Sequence, residues 1–507
     1  MTADDRLPVI VATGQCLERD EIVSVLDLAA RAAAEALAQA PGLRQAIQRV
    51  SMVHTISRAG VAPASVLARR LGLSPASTEL TTVGGNSPQW LVNRAAAAIA
   101  AGELDVALIV GGEAQRSRKL ARELRTRTGQ ASGGATGAGR GEDGEEHGAL
   151  APDPVVGDER PGAGPAELGA GLVAPIHVYP LFESVLAARA GRSFAEQRAW
   201  LGTVMAPFTE VAAKHPVAWF PEARTPAELS QIGPDNRLVA EPYPKRMCAI
   251  MAVDQAAAVV VSSLGAARRL GLADQAVFCW SGADAADVWF PTERPDLGES
   301  PAIRAAGQAA LGAVGLGIDD IGAIDLYSCF PSAVQLGAAA LGLGIDDRRG
   351  LTVTGGLPYF GGPGSNYTLH AIATMADILR ERGGTGLCTG LGWYATKHSV
   401  GVYGATPPPS GWQRGDTAAA QRAIDASAVP VATEAEGTAT VVAATIVAGE
   451  PGGPAVAGAP VVARLDDGRQ VAAVPAPGED LQALAGRNLV GERIMVAGSP
   501  PTYRLAG

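Results

Sequence analysis

Short β-branched runs alternate with alanine-rich amphipathic stretches along most of the chain, a pattern that predicts a layered α/β protein with a largely parallel central sheet. Pro8 to Thr13 reads as the first strand and Ser24 to Ala40 as the first helix. Val50 to Ile56 is a second strand and Pro63 to Leu71 a short helix. Glu79-Leu80-Thr81-Thr82 then runs into the turn Val83-Gly84-Gly85-Asn86-Ser87-Pro88, which opens a long helix from Gln89 to Ala101, with a strand from Val106 to Val110 behind it. The same succession returns later. Leu351 to Gly356 reads as a strand, a glycine-rich turn follows, a helix spans Asn366 to Arg382, and Thr385 to Gly392 is the second strand. Two such copies suggest an internal duplication, which places its matching turns at one cleft.

The pattern breaks in two places. Residues 128–168 are rich in Gly, Ala, Pro and acid, with too few apolar positions to offset ordering entropy, and read as a mobile surface insertion. From His177 to about Ala240 the chain turns helical and aromatic, enough for a small helical subdomain, before Val259 to Ser263 resumes the sheet. Val277 to Gly282, Ile321 to Ser328 and Ser399 to Tyr403 are further strands, with helices at Pro301 to Leu316 and Ser332 to Leu343. After the linker Thr406-Pro407-Pro408-Pro409-Ser410-Gly411, β-branched runs at Gly437–Ala448, Pro460–Leu465 and Gln470–Val474 predict a small sandwich- or barrel-like domain. The expected division is 1–115 with 241–270, an inserted 116–240, then 271–405 and 412–507.

Composition narrows the function classes. A net charge of -10 without a basic block argues against nucleic acid as a partner. No apolar run approaches the ~20 residues of a membrane span. The acidic start lacks the pattern of a secretory leader. Cys16, Cys248, Cys279, Cys329 and Cys388 are odd in number and have no CxxC spacing, which points to a reducing cytoplasm and to no metal cluster. The glycines at 355–356 and 361–362 fit neither a phosphate loop nor a dinucleotide fingerprint.

The turn at 83–88 carries the chemistry through what it lacks. A nucleophile there sits at a helix N-terminus, where the dipole and free N–H groups stabilise an anion, yet no thiol is present. In the second copy Cys388 is either a reactive thiol or a packed core residue. His370 and His398 are candidate bases, and Cys388, Trp393, Tyr394, Lys397 and His398 form a cluster worth testing.

From about residue 5 to residue 405 the chain resembles the thiolase superfamily, in particular its sterol-carrier branch. SPQWLVNRAAAAIAAGELDVALIVGGEA is similar to the helix and strand after the thiolase nucleophile, and LVAEPYPKRMCAIMAVDQAAAVVVSS to the return from the loop domain. GGLPYFGGPG and CTGLG match in order and spacing. The resemblance implies a duplicated, layered α-β-α-β-α thiolase fold with an inserted loop domain. It also implies four active-site loops. The nucleophile loop Cys-x-Ser falls on Gly85-Asn86-Ser87, with Gly85 in place of the cysteine. The second loop reads Tyr327-Ser328-Cys329-Phe330, and the third, Gly-His-Pro, reads Gly361-Gly362-Pro363, so Gly362 replaces the histidine. The fourth, Cys-x-Gly, survives as Cys388-Thr389-Gly390.

Thiolysis needs a thiolate to carry the acyl group and a base to generate it, and neither Gly85 nor Gly362 supplies one. The resemblance therefore implies a CoA- or acyl-CoA-binding protein of lipid or sterol metabolism without ordinary thiolase activity and without a tightly bound cofactor. Gly85, Ser87, Gly362 and Gly390 are the expected ligand-binding positions. The alternatives are an acyltransferase using Cys388 with Tyr327, His370 or His398, or an interaction protein whose C-terminal domain binds a partner chain. Thiolases dimerise through the strand before the nucleophile, here Glu79 to Val83; with an extra domain able to cover that face, a monomer is favoured over a homodimer.

Overall fold

The computed structural model describes residues 4–127, 150–450 and 452–506. Its main sheet is built from Pro8–Leu17 (β1), Arg49–Met52 (β2), Ser77–Thr81 (β3), Val106–Ala114 (β4) and Val155–Val156 (β5) in the first half. The inserted region contributes Leu238–Ala240 (β6) and Tyr243–Pro244 (β7). The main sheet continues with Asp254–Ser263 (β8), Val277–Ala286 (β9), Ala323–Asp325 (β10), Thr385–Gly392 (β11) and Lys397–Gly404 (β12). Its order is β10-β11-β12-β9-β1-β8-β4-β2-β3-β5, with Gln413–Arg414 (β13) added alongside β9. The two copies meet where β1 pairs with β9, antiparallel. Strands β1, β4, β8 and β12 are buried on both faces almost throughout; the first three carry the runs of Val, Ile and Ala that such burial requires.

The helices Ser87–Ala101 and Tyr367–Arg382, which follow the two glycine turns, pack against these central strands. Both are apolar on most faces: Leu91, Val92, Ala95, Ala96 and Ile99 of one and Leu369, Ala371, Ile372, Ala373 and Met375 of the other are buried. A helix buried all round is the middle layer of a stacked fold. Among the described residues no helix is long and apolar enough to cross a membrane.

Two expectations need correction. Leu351–Gly356 forms no strand. The Asp325 carboxylate accepts the Val353 N–H at 2.9 Å and the Thr352 hydroxyl at 3.0 Å, so a side chain takes over the role of a ladder neighbour there. Residues 150–168 are packed into the body and are not a free insertion; residues 128–149 of that stretch, with His147, lie outside the described residues. β5 pairs in parallel with β3, Leu80 opposite Val155 and Thr81 opposite Val156, and so covers the outer edge of β3. Asp153, 5% exposed, anchors this strand by accepting Ala64 N at 2.7 Å, the Ser65 hydroxyl at 2.6 Å and the Thr78 hydroxyl at 2.9 Å. It thereby caps the Pro63–Arg70 helix, whose own N-cap residue, Ala62, offers no side-chain acceptor.

The C-terminal region is a barrel. Ala435–Ala444 (β15), after the short Val431–Ala432 (β14), pairs with Val461–Leu465 (β18) and with Arg493–Gly498 (β20). Gln470–Pro475 (β19) and Thr502–Leu505 (β21) close the ring. Val447–Ala448 (β16) and Val456–Gly458 (β17) leave the barrel and continue the β6–β7 ribbon of the inserted region. The barrel core merges with Ala187 and Phe194 of the inserted helices. Ala444 N donates to Ser184 Oγ at 3.0 Å, Thr445 Oγ1 to His177 O at 2.7 Å, and Gln470 Nε2 to Arg294 O at 2.8 Å. One side of the barrel is thus committed to its own chain as a brace for the inserted helices.

Candidate active site

Every bond around the 83–88 turn holds the backbone open at Gly84 and Gly85. Gly84 has φ +156, its N–H donates to Ser365 Oγ at 3.1 Å, and its carbonyl accepts Ser87 N at 3.0 Å. Thr368 Oγ1 donates to Gly85 O at 2.7 Å, so the helix after the second turn clamps the first turn. Ser87 uses its hydroxyl on Thr82 O at 3.2 Å. Pro88 starts the helix without wasting a donor. Asn86 sends Nδ2 to Ser399 Oγ at 3.3 Å, while its buried Oδ1 has no partner.

Tyr327 occupies the place where a side chain at position 85 would be. A Cβ built on Gly85 would lie 2.5 Å from Tyr327 Cζ, closer still to its hydroxyl, and 2.5 Å from Leu391 O, all inside the 3.0 Å that real Cβ atoms respect. The tyrosine is fixed from behind: its N–H donates to Thr389 Oγ1 at 2.8 Å, and Tyr367 meets its ring edge-on at 5.5 Å. Burial holds the phenol well above its ordinary range, so it stays a neutral donor. The glycine and the tyrosine are a matched pair, and the large residue fills what the small one vacates.

The strand alternation of β11 separates the other expected residues. Gly386, Cys388, Gly390 and Gly392 face the central helices: Cβ atoms at Gly386, Gly390 and Gly392 would meet Met375, Asn86 Cα at 2.8 Å, and Asn86 Oδ1. Cys388 is fully buried, and burial, reinforced by Asp325, pushes its thiol well above the ordinary value. His398 lies across β12 from Leu391, on the opposite face. There it lines a cavity of about 10 Å³ with Ile303, Ala333 and Thr389, room for one water. Its Nε2 is 3.2 Å from Asp287 Oδ2 and 3.1 Å from Ala395 O. Burial works to raise the Asp287 carboxyl, but the His398 bond and the Arg294 charge outweigh it and hold the group below its usual range. His398 and Cys388 therefore do not form a pair.

Nor does His370 replace the missing imidazole: its Nδ1 meets Gln15 Oε1 at 2.8 Å, it packs on Phe360, and burial drives its pKa down to about 3. Gly362 spends its N–H on Ile250 O at 2.9 Å, and a Cβ there would meet nothing nearer than 3.3 Å, so space for a side chain exists but no side chain fills it. Of the cluster suggested by sequence, only Lys397 reaches the turn, donating through Nζ to Val83 O. Trp393 stands over it with its ring centroid 6.0 Å from Nζ, and Tyr394 turns away to Val173 O. Asn86, Tyr367 and the contact of Lys397 with Val83 have no signature in local sequence, because each depends on segments hundreds of positions apart.

A groove of about 430 Å³ opens between the Phe194–Ala212 helix and residues 345–352. Trp200, Val204, Phe208, Val211 and Leu351 form its apolar wall, with Asp346 and Asp347 among its lining residues. Thr352 links it to the site: its hydroxyl binds Asp325, which sits opposite Cys388 in the β10–β11 ladder.

This geometry has a close counterpart. The structure is similar, over 100% of both chains, to that of a monomeric SCP2-thiolase-like protein type 1 from Mycobacterium smegmatis, at 31% identity and a TM-score of 0.82. The chain belongs to the thiolase superfamily. This thiolase-like chain also shares the fold of human mitochondrial 3-ketoacyl-CoA thiolase, at 16% identity and TM-score 0.56 over 80% of this chain and 100% of that one. A third likeness, to an acetyl-CoA acetyltransferase from Syntrophomonas wolfei, has 16% identity and TM-score 0.56 over 79% and 99% of the two chains. No family model and no curated protein matches the sequence.

Proposed function

We propose that this thiolase-like protein binds CoA or acyl-CoA of lipid or sterol metabolism and does not carry out thiolysis or Claisen condensation. The observation that carries the reading is the Gly85–Tyr327 exchange: the space an acyl-carrying side chain needs is taken by a neutral phenol. A thiolase mechanism requires a thiolate beside a base. Here Cys388 is fully buried with its thiol pKa raised, and His398 lies on the other face of the sheet. These facts speak against the alternative of an acyltransferase acting through Cys388.

The ligand reading rests on the groove, whose volume lies in the range of small-molecule sites. Its apolar wall suits the neutral pantetheine arm and an acyl chain. Asp347 at its edge is paired with Arg349 at 2.7 Å, which offsets its charge there. Calorimetric titration of CoA, acetyl-CoA and a long-chain acyl-CoA tests this. Saturable binding is expected, and Thr203→Trp, which fills the groove from an exposed position, is expected to weaken it by roughly tenfold or more without lowering Tm. Absence of saturable heat with every ligand would overturn the reading.

A further inference from the structure

Lys397 is chemically out of place. The chain has 41 Lys and Arg residues but only four lysines, Lys119, Lys214, Lys245 and Lys397. The first three are exposed. Lys397 is 8% exposed and is held at the 83–88 turn by its bond to Val83 O. Two glycines make room for it: a Cβ on Gly84 would lie 2.9 Å from both Cε and Nζ, and one on Gly392 would lie 3.0 Å from Cε. The hairpin that delivers it is bent through two non-glycine residues in the left-handed region, Trp393 at φ +56 and Ala395 at φ +50. Such conformations cost energy and persist where the surroundings impose them. Beside the amine lies the unpartnered Oδ1 of Asn86, a residue more than nine-tenths buried; it is close enough that the same Gly84 Cβ would come within 2.6 Å of it. A buried acceptor with no donor is an unfilled position in this site.

We propose that Lys397 is an acyl acceptor that takes an acyl group from a CoA-type thioester. The proposal rests on the reading that the protein engages acyl thioesters. In the step, the lone pair of the neutral ε-amine adds to the thioester carbonyl carbon. The tetrahedral adduct collapses with rupture of the C–S bond, and the products are an amide on Lys397 and a free thiol. One amine proton leaves for the thiolate or for water, and no oxidant or further reactant is required. The new amide N–H is then a donor beside Asn86 Oδ1.

The surroundings favour the neutral amine. Burial, the leading cause, brings the Lys397 pKa down to about 8, with Asp158 raising it and Arg160 lowering it. His54 is the other titratable group that feels its charge, and Glu113 acts on His54 in turn. Val83 O and the Trp393 ring complete the shell. Acylation of Lys397 is therefore expected to accelerate as pH rises towards 8 and to level off above it.

The test incubates the full-length protein at pH 8 with acetyl-CoA and, separately, with the acetyl thioester of N-acetylcysteamine, which has no nucleotide. Peptide mapping then compares the four lysines. Lys397 is expected to be acetylated roughly tenfold faster than each exposed lysine, because burial at the turn lowers its pKa. Lys397→Met, which keeps the stem between Gly84 and Gly392 but gives up the bond to Val83 O, should lose that label with a small drop in melting temperature and no loss of cooperative unfolding. Labelling by both donors supports the acceptor and the CoA reading together. Labelling by the small thioester alone supports the acceptor and overturns the CoA reading. Acetylation of the exposed lysines without preference for Lys397 overturns the proposal, whatever calorimetry shows.

Discussion

Gly85→Ala is expected to cost about 2 kcal/mol of stability, the range of an overpacked core, even though alanine adds a single methyl group. Its Cβ would collide with the Tyr327 ring and with the carbonyl oxygen of Leu391. A cysteine at 85, the residue a thiolase has there, meets the same obstruction before its sulfur is considered. The collision is specific, so a double-mutant cycle isolates it. In the Tyr327→Ala background much of the penalty should vanish, leaving a coupling of about 1 kcal/mol or more between the two positions. Tyr327→Ala is itself destabilising through the cavity it leaves. Additive penalties, measured by chemical denaturation, would mean that the tyrosine does not fill the vacated space.

The second large effect lies at the sheet edge. Asp153→Ala removes the acceptor for Ala64 N, the Ser65 backbone and hydroxyl, and the Thr78 hydroxyl, all in a site only 5% exposed. The Ser65 and Thr78 hydroxyls still meet each other at 2.9 Å, but the buried Ala64 N–H loses its acceptor and the helix its N-terminal acid, a cost of about 2 kcal/mol. The loss is local: β5 is two residues long and depends on this anchor. Its release would uncover the outer edge of β3, whose free N–H and C=O groups are a template for another strand. Light scattering of Asp153→Ala should show association beyond the mass of the unmutated protein together with new protease cuts near residues 150–160. A variant that keeps the mass of the unmutated protein and stays uncut would show that β5 does not guard that edge.

The fold was legible where periodicity is local. Buried strands such as Val106–Ala114 and the helix opened by Pro88 stand out because every residue in them answers to the same environment. Leu351–Gly356 has strand composition but no strand, because side chains take its backbone donors: Asp325 that of Val353, Thr352 those of Thr354 and Gly355, and Thr354 that of Gly356. The Asp153 segment looked loose by composition, yet a single acid and a two-residue pairing tie it down. At the site, it was the resemblance to thiolases that implied a glycine at 85 where those proteins carry a thiol and a glycine at 362 where they carry an imidazole. What fills the gap was not, because Tyr327 lies 242 positions from Gly85 and Lys397 a further 70 beyond it. Sequence placed Cys388 and His398 in one cluster, and the face alternation of a strand pair keeps them apart.

The most direct test of the account is CoA-dependent cleavage of a 3-ketoacyl-CoA, followed by loss of its enolate absorbance at high protein concentration. With Tyr327 filling the space beside Gly85 and the Cys388 thiol held neutral by burial and by the Asp325 carboxylate opposite it, the rate should equal that of the protein-free blank. Turnover above the blank that disappears in Cys388→Ala would contradict the account and make the buried thiol a working nucleophile.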